Sequence, residues 1–228
     1  SEREELERLL KELEDVTREV VERLKKLLRD NEKLTDEVRK RLRDLLRRLE
    51  EMVRRRGLSD EVLKDLKRLI EELLKTVEEL LREHIRSVEE LLKAIRKLLE
   101  DHIRLIKELV RRADQRDETL ERVDRKLEED HRRILRRLEK VVEELKKEHE
   151  RILRELEKVV DKVKKDLERV RREEEIEEIV KRLVEVLEKV LRELERASRK
   201  LVKVVEEVLR ALEEISKELV DVVREVLR

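Results

Sequence analysis

Aliphatic residues recur at steps of three and four positions along almost the whole chain, a spacing that places them on one face of an α-helix. The first run begins with Leu6, Leu9, Leu10 and Leu13 and stays in phase as far as Val53. An unbroken apolar stripe must be covered by an apolar partner along its whole length. The chain is therefore expected to fold as long helices that pack side by side.

Composition removes the alternatives to helix. The 228 residues include one Gly, no Pro and no aromatic residue, so β-strands and tight turns have almost no suitable residues. Because there is no Cys, disulfide frameworks and thiolate metal sites are excluded, and the redox compartment cannot be read.

Charge and hydropathy bound the partners. Basic and acidic side chains balance at 63 each, which gives no electrostatic reason to expect nucleic acid or an anionic membrane as partner. No apolar run approaches the roughly 20 residues that a membrane span needs. We expect a soluble protein, whose localisation the sequence does not indicate.

Three interruptions divide the stripe. After the first helix, Gly57 suits a left-handed C-terminal position, and Ser59 with Asp60 supplies an N-cap and an acidic first turn. The segment "RRADQRDET" forms the second break and offers Asp114 or Asp117 as a cap. The third break, near residue 172, is marked only by a change from basic to acidic residues, which suits a helix C-terminus followed by an N-terminus.

These breaks predict four helices at about 2–56, 59–112, 118–171 and 174–228. The predicted fold is all-α: a single-chain, antiparallel, up-down four-helix bundle of helices about 54 residues long, forming one domain over residues 1–228.

An 18-residue repeat runs through the chain. In the second helix "EHIRSVEELLK" recurs as "DHIRLIKELV", and in the third "HRRILRRLEKVV" recurs as "HERILRELEKVV". At about 3.6 residues per turn, five turns span one repeat, so the stripe keeps facing one direction without supercoiling. The helices are therefore expected to be nearly straight.

A few polar residues interrupt the stripe. His84, His102, His131 and His149 each have aliphatic neighbours on the same helix face, so their side chains should point inward. The first helix carries Thr17 and Thr35 in phase with its stripe, with Asn31 nearby, and the fourth carries Ser198 and Ser216.

Folding the chain back at its three turns groups these residues into two layers, because each polar residue then meets partners at the same height on the other helices. We number the two layers in the order in which they begin along the chain. Layer 1 is Thr17, His102, His131 and Ser216, and layer 2 is Thr35 with Asn31, His84, His149 and Ser198. Imidazole and hydroxyl groups both donate and accept hydrogen bonds, so each layer could satisfy itself. The alternative is that each histidine is an independent residue at the bundle boundary.

In composition and period the whole chain resembles parametrically generated, de novo designed helical bundles with buried hydrogen-bond networks. The resemblance implies a structural scaffold or assembly component. It matches a style of sequence and no single motif.

Three functions of the layers compete; we favour pairing specificity together with pH-dependent stability or assembly and no cofactor, with cofactor binding as the alternative. The layers could specify helix pairing in a static scaffold, or they could act as a pH switch, because histidine changes charge near neutral pH. Alternatively, the pairs His102–His131 and His84–His149 could ligate haem, another metalloporphyrin or a metal ion. The surrounding Leu, Ile and Val side chains leave little room for a flat macrocycle. No other metal ligands and no catalytic residues are predicted, so we do not expect an enzyme.

Further aliphatic residues lie beside the main stripe on the second and fourth helices. They predict a candidate homo-oligomer interface, formed by Ile85, Ile103, Val186, Val204 and Val222. The alternative is that these two helices lie on the short diagonal of a rhombic bundle and are simply more buried.

Overall fold

The computed structural model describes residues 2–55, 59–113 and 118–227, which form four helices. They are α1 (Glu2–Arg55), α2 (Asp60–Ala113), α3 (Glu118–Glu168) and α4 (Glu173–Leu227). No strand occurs within these ranges. The predicted all-α fold and four-helix bundle are thus confirmed, whereas Gly57, Asp114 and Asp117 lie outside the described residues. Straightness of the helices stays a prediction.

The chain forms two compact units, and each contains a stretch of every helix. Unit 1 comprises residues 1–30, 88–142 and 200–228, and unit 2 comprises residues 31–87 and 143–199. Layer 1 belongs entirely to unit 1 and layer 2 entirely to unit 2. Whether the chain behaves as the single predicted domain stays a prediction.

In unit 1, ion pairs show the antiparallel order of the helices. Between α2 and α3, Arg96 Nη2 lies 2.7 Å from Glu139 Oε1 and Lys107 Nζ lies 3.1 Å from Glu128 Oε1, so residue numbers rise on one helix as they fall on the other. Between α3 and α4 the corresponding pairs are Arg137–Glu207 and Lys126–Glu218.

Unit 2 has the same order. Lys67 pairs with Glu168 at 3.6 Å and Lys164 with Glu71 at 2.9 Å, which again runs α2 against α3. Since these pairs lie on the outside, they report register and contribute little to stability.

Each unit encloses an aliphatic core. In unit 1 the core includes Leu13, Ile106 and Leu219, and in unit 2 it includes Leu42, Leu73, Leu156, Leu183 and Leu194. These side chains are at most 2% exposed. Among the residues that the structure describes, no large hydrophobic side chain is exposed, so the stripes are covered as helix packing requires.

The start of α2 is capped as predicted. Ser59 Oγ accepts a hydrogen bond from the backbone N–H of Val62 at 3.2 Å, and the Ser59 carbonyl accepts from Leu63 at 3.1 Å. A serine side chain at this position satisfies one of the unpaired donors of the first turn.

The third turn exists, but α3 ends at Glu168, three residues earlier than predicted. The backbone N–H of Arg169 bonds to the carbonyl of Asp166, which tightens the end of the helix. At the start of α4, Glu175 Oε2 accepts a bond from the N–H of Arg171 at 3.2 Å, much as an acidic residue does in a capping box. The change of charge sign located the turn, whereas these local bonds fix its boundaries.

Candidate functional site

The four histidines are buried, as the stripe predicted. Their exposed fractions are 0% for His84 and His149 and 1% for His102 and His131. Each is held on a long helix between aliphatic turns, so its ring cannot reach solvent without a local opening of the unit. A buried imidazole must find its hydrogen-bond partners inside the protein.

In layer 1 the two histidines bond directly to each other. Nδ1 of His102 lies 2.9 Å from Nε2 of His131, and Nδ1 of His131 lies 2.7 Å from the carbonyl oxygen of Leu127, one turn earlier on α3. A carbonyl oxygen only accepts, so Nδ1 of His131 carries the proton. In the neutral pair, His131 must then accept from Nδ1–H of His102.

Two hydroxyl groups complete layer 1. Thr17 Oγ1 and Ser216 Oγ each lie 3.0 Å from Nε2 of His102 and 3.1 Å from each other. Thr17 also donates to the carbonyl of Leu13 at 2.7 Å. One hydrogen-bonded cluster therefore joins α1, α2, α3 and α4, as predicted for this layer.

Layer 2 repeats the histidine pair. Nδ1 of His84 lies 2.9 Å from Nε2 of His149, and the ring planes are within 8° of parallel with centroids 5.1 Å apart. With the nitrogens this close, the rings meet edge to edge, as an N–H···N bond requires. The layer 1 pair has a similar centroid separation of 5.2 Å with planes 29° apart.

The hydroxyls of layer 2 are more loosely arranged. Thr35 Oγ1 lies 3.2 Å from Nε2 of His84 and donates to the carbonyl of Asn31 at 2.9 Å. Ser198 donates to Thr35 Oγ1 at 3.4 Å. The predicted members of this layer are therefore brought together, with Asn31 contributing its backbone carbonyl.

Two polar atoms of layer 2 have no hydrogen bond of normal geometry. One is Nδ2 of Asn31, a side chain that is only 2% exposed. The other is Nδ1 of His149, which the Leu145 carbonyl approaches closely enough to raise the pKa but without the 2.7 Å bond that Leu127 makes to His131. The Oδ1 atom of Asn31 accepts a long bond of 3.4 Å from Ser87. Ser87 was not predicted as a member of layer 2. Because it lies one turn after His84 on the same helix, its position could have indicated this role.

Burial dominates the electrostatics of the histidines. Loss of solvation lowers the pKa of His84, His102 and His149 to about 4. It also lowers the pKa of His131, against the opposing effects of the Leu127 carbonyl and Asp130. Repulsion from the paired ring adds to the lowering of the pKa for His84 and His102, so the rings are neutral at pH 7.

The pairs have hydrogen-bond geometry and not the geometry of metal ligation. Two imidazole nitrogens bound at about 2.0 Å each would be roughly 4 Å apart on opposite faces of a haem iron and about 3.3 Å apart on a tetrahedral metal ion, and a porphyrin would also have to lie between the rings. The observed separation is 2.9 Å in both layers. In the part of the chain that the structure describes, no group of three or more potential ligand side chains is placed to hold a metal ion.

The residues of the candidate oligomer interface are not exposed. Val204 is 5% exposed and belongs to the interior, while Ile85, Ile103, Val186 and Val222 are partly buried. In unit 1 the Ser216–His102 bond joins α4 directly to α2. These features favour the alternative to an interface, in which α2 and α4 are simply more buried than the other helices. Oligomerisation stays a prediction.

No protein-family model, curated protein or solved structure matches the chain. Among the described residues, none of the helices combines the length and apolarity needed to cross a membrane.

Proposed function

We propose that this chain is a designed helical scaffold whose two polar layers specify helix pairing and register and make folding sensitive to acid. The observation that carries the proposal is the single cluster of hydrogen bonds that connects all four helices in layer 1. The repeated sequence and the lack of matching families support a designed origin.

Register specificity follows from the cost of unpaired polar groups. Moving any helix by one turn keeps its aliphatic stripe facing inward but displaces its polar residue from the layer by about 5 Å. Each buried donor or acceptor left unpaired then costs about 1 to 3 kcal/mol. An all-aliphatic core would tolerate such a shift more easily, so the layers penalise wrong arrangements more than they stabilise the right one.

Acid sensitivity follows from the lowered pKa values. Below pH 6.5 the unfolded chain binds protons on histidine, whereas the folded chain does so only near the pKa of about 4 for three of the four rings. The free energy of unfolding is therefore full above pH 6.5 and falls as pH drops from 6.5 toward 4. Each of these three rings contributes at most about 3 kcal/mol to this loss.

The test is the free energy of unfolding in guanidinium chloride, measured from about pH 8 to pH 4.5. A variant with all four histidines replaced by Asn is the matched control, because its carboxylates titrate in the same way. The wild type should lose several kcal/mol more than the control across this range. Equal losses in both proteins would refute the acid sensitivity and leave the layers as specificity devices.

Assembly and haem binding are separate tests. Light-scattering molar mass over the same pH range reports whether copies of the chain associate and whether association depends on the histidines. Haem titration reports the alternative function, since bis-histidine ligation gives a low-spin Soret band. Because each N–N distance would have to grow by about 1 Å and a macrocycle would have to enter, we expect no such band.

A further inference from the structure

The hydroxyls of layer 1 lie at a solvent-open groove. A groove of about 520 Å³ runs between α1 and α4 in unit 1, and Thr17 and Ser216 are among its lining residues. Thr17 is only partly buried, whereas its counterpart Thr35 in layer 2 is 2% exposed. Both hydroxyls of layer 1 contact Nε2 of His102, so the groove reaches that ring through a single side chain.

In its neutral form, layer 1 has fewer protons than it has hydrogen-bond contacts. Thr17 and Ser216 have two hydroxyl protons between them, but they make four short contacts with each other, with Nε2 of His102 and with the Leu13 carbonyl. The Leu127 carbonyl fixes the proton of His131 on Nδ1, which leaves Nε2 of neutral His102 without a proton. Two of the four contacts therefore lack a proton.

One added proton supplies three of these four contacts. With a proton on Nε2, His102 donates to Ser216, Ser216 donates to Thr17, and Thr17 donates to the Leu13 carbonyl. Nδ1 of His102 continues to donate to His131. Every donor then has an acceptor and the charge is held by charge-assisted hydrogen bonds, which are stronger than neutral ones.

Layer 2 differs because its neutral form already has a proton for each of its hydrogen bonds. Because Nδ1 of His149 has no hydrogen bond of normal geometry, the Leu145 carbonyl holds a proton there less firmly than Leu127 does on His131, and Nε2 of His149 can donate to His84. His84 then donates to Thr35, and both Thr35 and Ser198 keep their own donor bonds. The neutral layer is already complete in donors. A further proton would go to Nδ1 of His149, where the Leu145 carbonyl raises the pKa as an acceptor but lies outside the geometry of a normal hydrogen bond, unlike Leu127 in layer 1.

We infer that layer 1 is a proton-binding site that takes one proton from the groove while the protein is folded and holds it on Nε2 of His102, whereas layer 2 stays neutral. A hydronium ion or buffer acid in the groove gives its proton to a hydroxyl oxygen, the hydroxyl passes its own proton to Nε2, and the conjugate base leaves with the electron pair. No bond between heavy atoms changes. This inference deepens the proposed acid sensitivity and rests on it.

The surrounding charges do not by themselves favour this proton. The groove is lined by four acidic side chains, Glu14, Glu22, Glu213 and Asp221, and by four basic ones, Arg18, Lys25, Lys217 and Arg224. From α3, His131 repels a charge on His102, and Asp130 acts on His131. On α2 the adjacent carboxylate is Asp101, which pairs with Arg104 at 3.7 Å. Burial lowers the pKa of His102 in layer 1 and of His84 in layer 2 alike, so a difference between the two layers has to come from hydrogen bonding.

The experiment is a histidine titration by ¹⁵N and ¹³C NMR of the full chain, above the pH at which it unfolds. We expect His102 to titrate at a pH at least about one unit above His84 and His149, and His131 to keep its proton on Nδ1 throughout. Equal midpoints for His102 and His84 would overturn the inference. Because unfolding free energies test the acid sensitivity separately, that result would leave the proposed function standing.

Matched variants test the hydroxyl relay. Ser216→Ala removes an acceptor for the charged His102 and should lower its pKa by about one to two units, whereas Ser198→Ala in layer 2 should leave the titration of His84 unchanged. Thr17→Val should lower the pKa of His102 in the same direction. No change in the His102 midpoint in either layer 1 variant would overturn the inference.

Discussion

Layer 1 and layer 2 contain the same histidine pair and the same types of hydroxyl, yet they differ at the outer nitrogen of the pair. In layer 1, Nδ1 of His131 bonds to the Leu127 carbonyl at 2.7 Å, whereas Nδ1 of His149 in layer 2 makes no hydrogen bond of normal geometry with the Leu145 carbonyl. That difference sets the direction in which protons point along each network. Two layers of equal burial can therefore differ in tautomer, in cost of mutation and in response to acid.

The largest expected effect is the division of acid sensitivity between the layers. Replacing His84 and His149 by Asn should remove the larger part of the loss in unfolding free energy between about pH 8 and pH 4.5, because layer 2 stays neutral when folded. Replacing His102 and His131 by Asn should remove the smaller part, since folded layer 1 accepts a proton itself. Guanidinium unfolding at each pH measures both, and equal contributions from the two layers would contradict the comparison.

A smaller effect is expected when the outer histidine of each pair is replaced by an apolar ring. His131→Phe leaves Nδ1–H of His102 without an acceptor and should cost about 1 to 3 kcal/mol at pH 8. His149→Phe removes an unpaired nitrogen and leaves only an acceptor on His84, so its cost should be about 1 kcal/mol lower. Urea unfolding of both variants decides this point, and a larger cost in layer 2 would reverse the assignment.

The unpaired amide of layer 2 should be a place where the protein can be made more stable. Asn31→Leu removes the buried Nδ2 donor and only a long bond from Ser87, so we expect a gain of about 1 kcal/mol. In layer 1, Thr17→Val removes a hydroxyl that is fully engaged and should cost about 1 kcal/mol. Thermal unfolding of the two variants at pH 8 checks the difference in sign, which a loss in both would contradict.

Surface ion pairs should show the smallest effect. The Arg39–Glu195 pair of unit 2 is less exposed than the Arg96–Glu139 pair of unit 1, with side-chain exposures of 28% and 25% against 44% and 39%. Double-mutant cycles to Ala should give at most about 1 kcal/mol for either pair, with the larger value in unit 2. High salt should reduce the coupling energy of the unit 1 pair more, and the opposite ranking would argue against exposure as the cause.

Much of the candidate site was predictable because the turns fix which positions meet. Once the chain folds back between Arg55 and Asp60, Thr17 must lie near His102 and Thr35 near His84, and the observed bonds confirm both. The four-helix fold followed in the same way from the apolar stripe. The period and phase of the apolar and polar residues can be read directly from the sequence.

The remaining features depend on distances that no pattern encodes. The repeat makes His131 and His149 equivalent, yet only His131 bonds to its carbonyl with normal hydrogen-bond geometry. The exposure of Thr17 depends on packing between α1 and α4, and the end of α3 depends on the local bonds around Asp166. Differences below 1 Å decide whether a polar atom is paired, so sequence position alone cannot predict them.

The most direct test of the networks is NMR detection of coupling through the N–H···N bonds of the two histidine pairs at about pH 7.5. The structure predicts such coupling between Nδ1 of His102 and Nε2 of His131 and between Nδ1 of His84 and Nε2 of His149, with all four rings neutral. Rings without coupling, or ring protons that exchange freely with water, would contradict the paired networks on which the account depends.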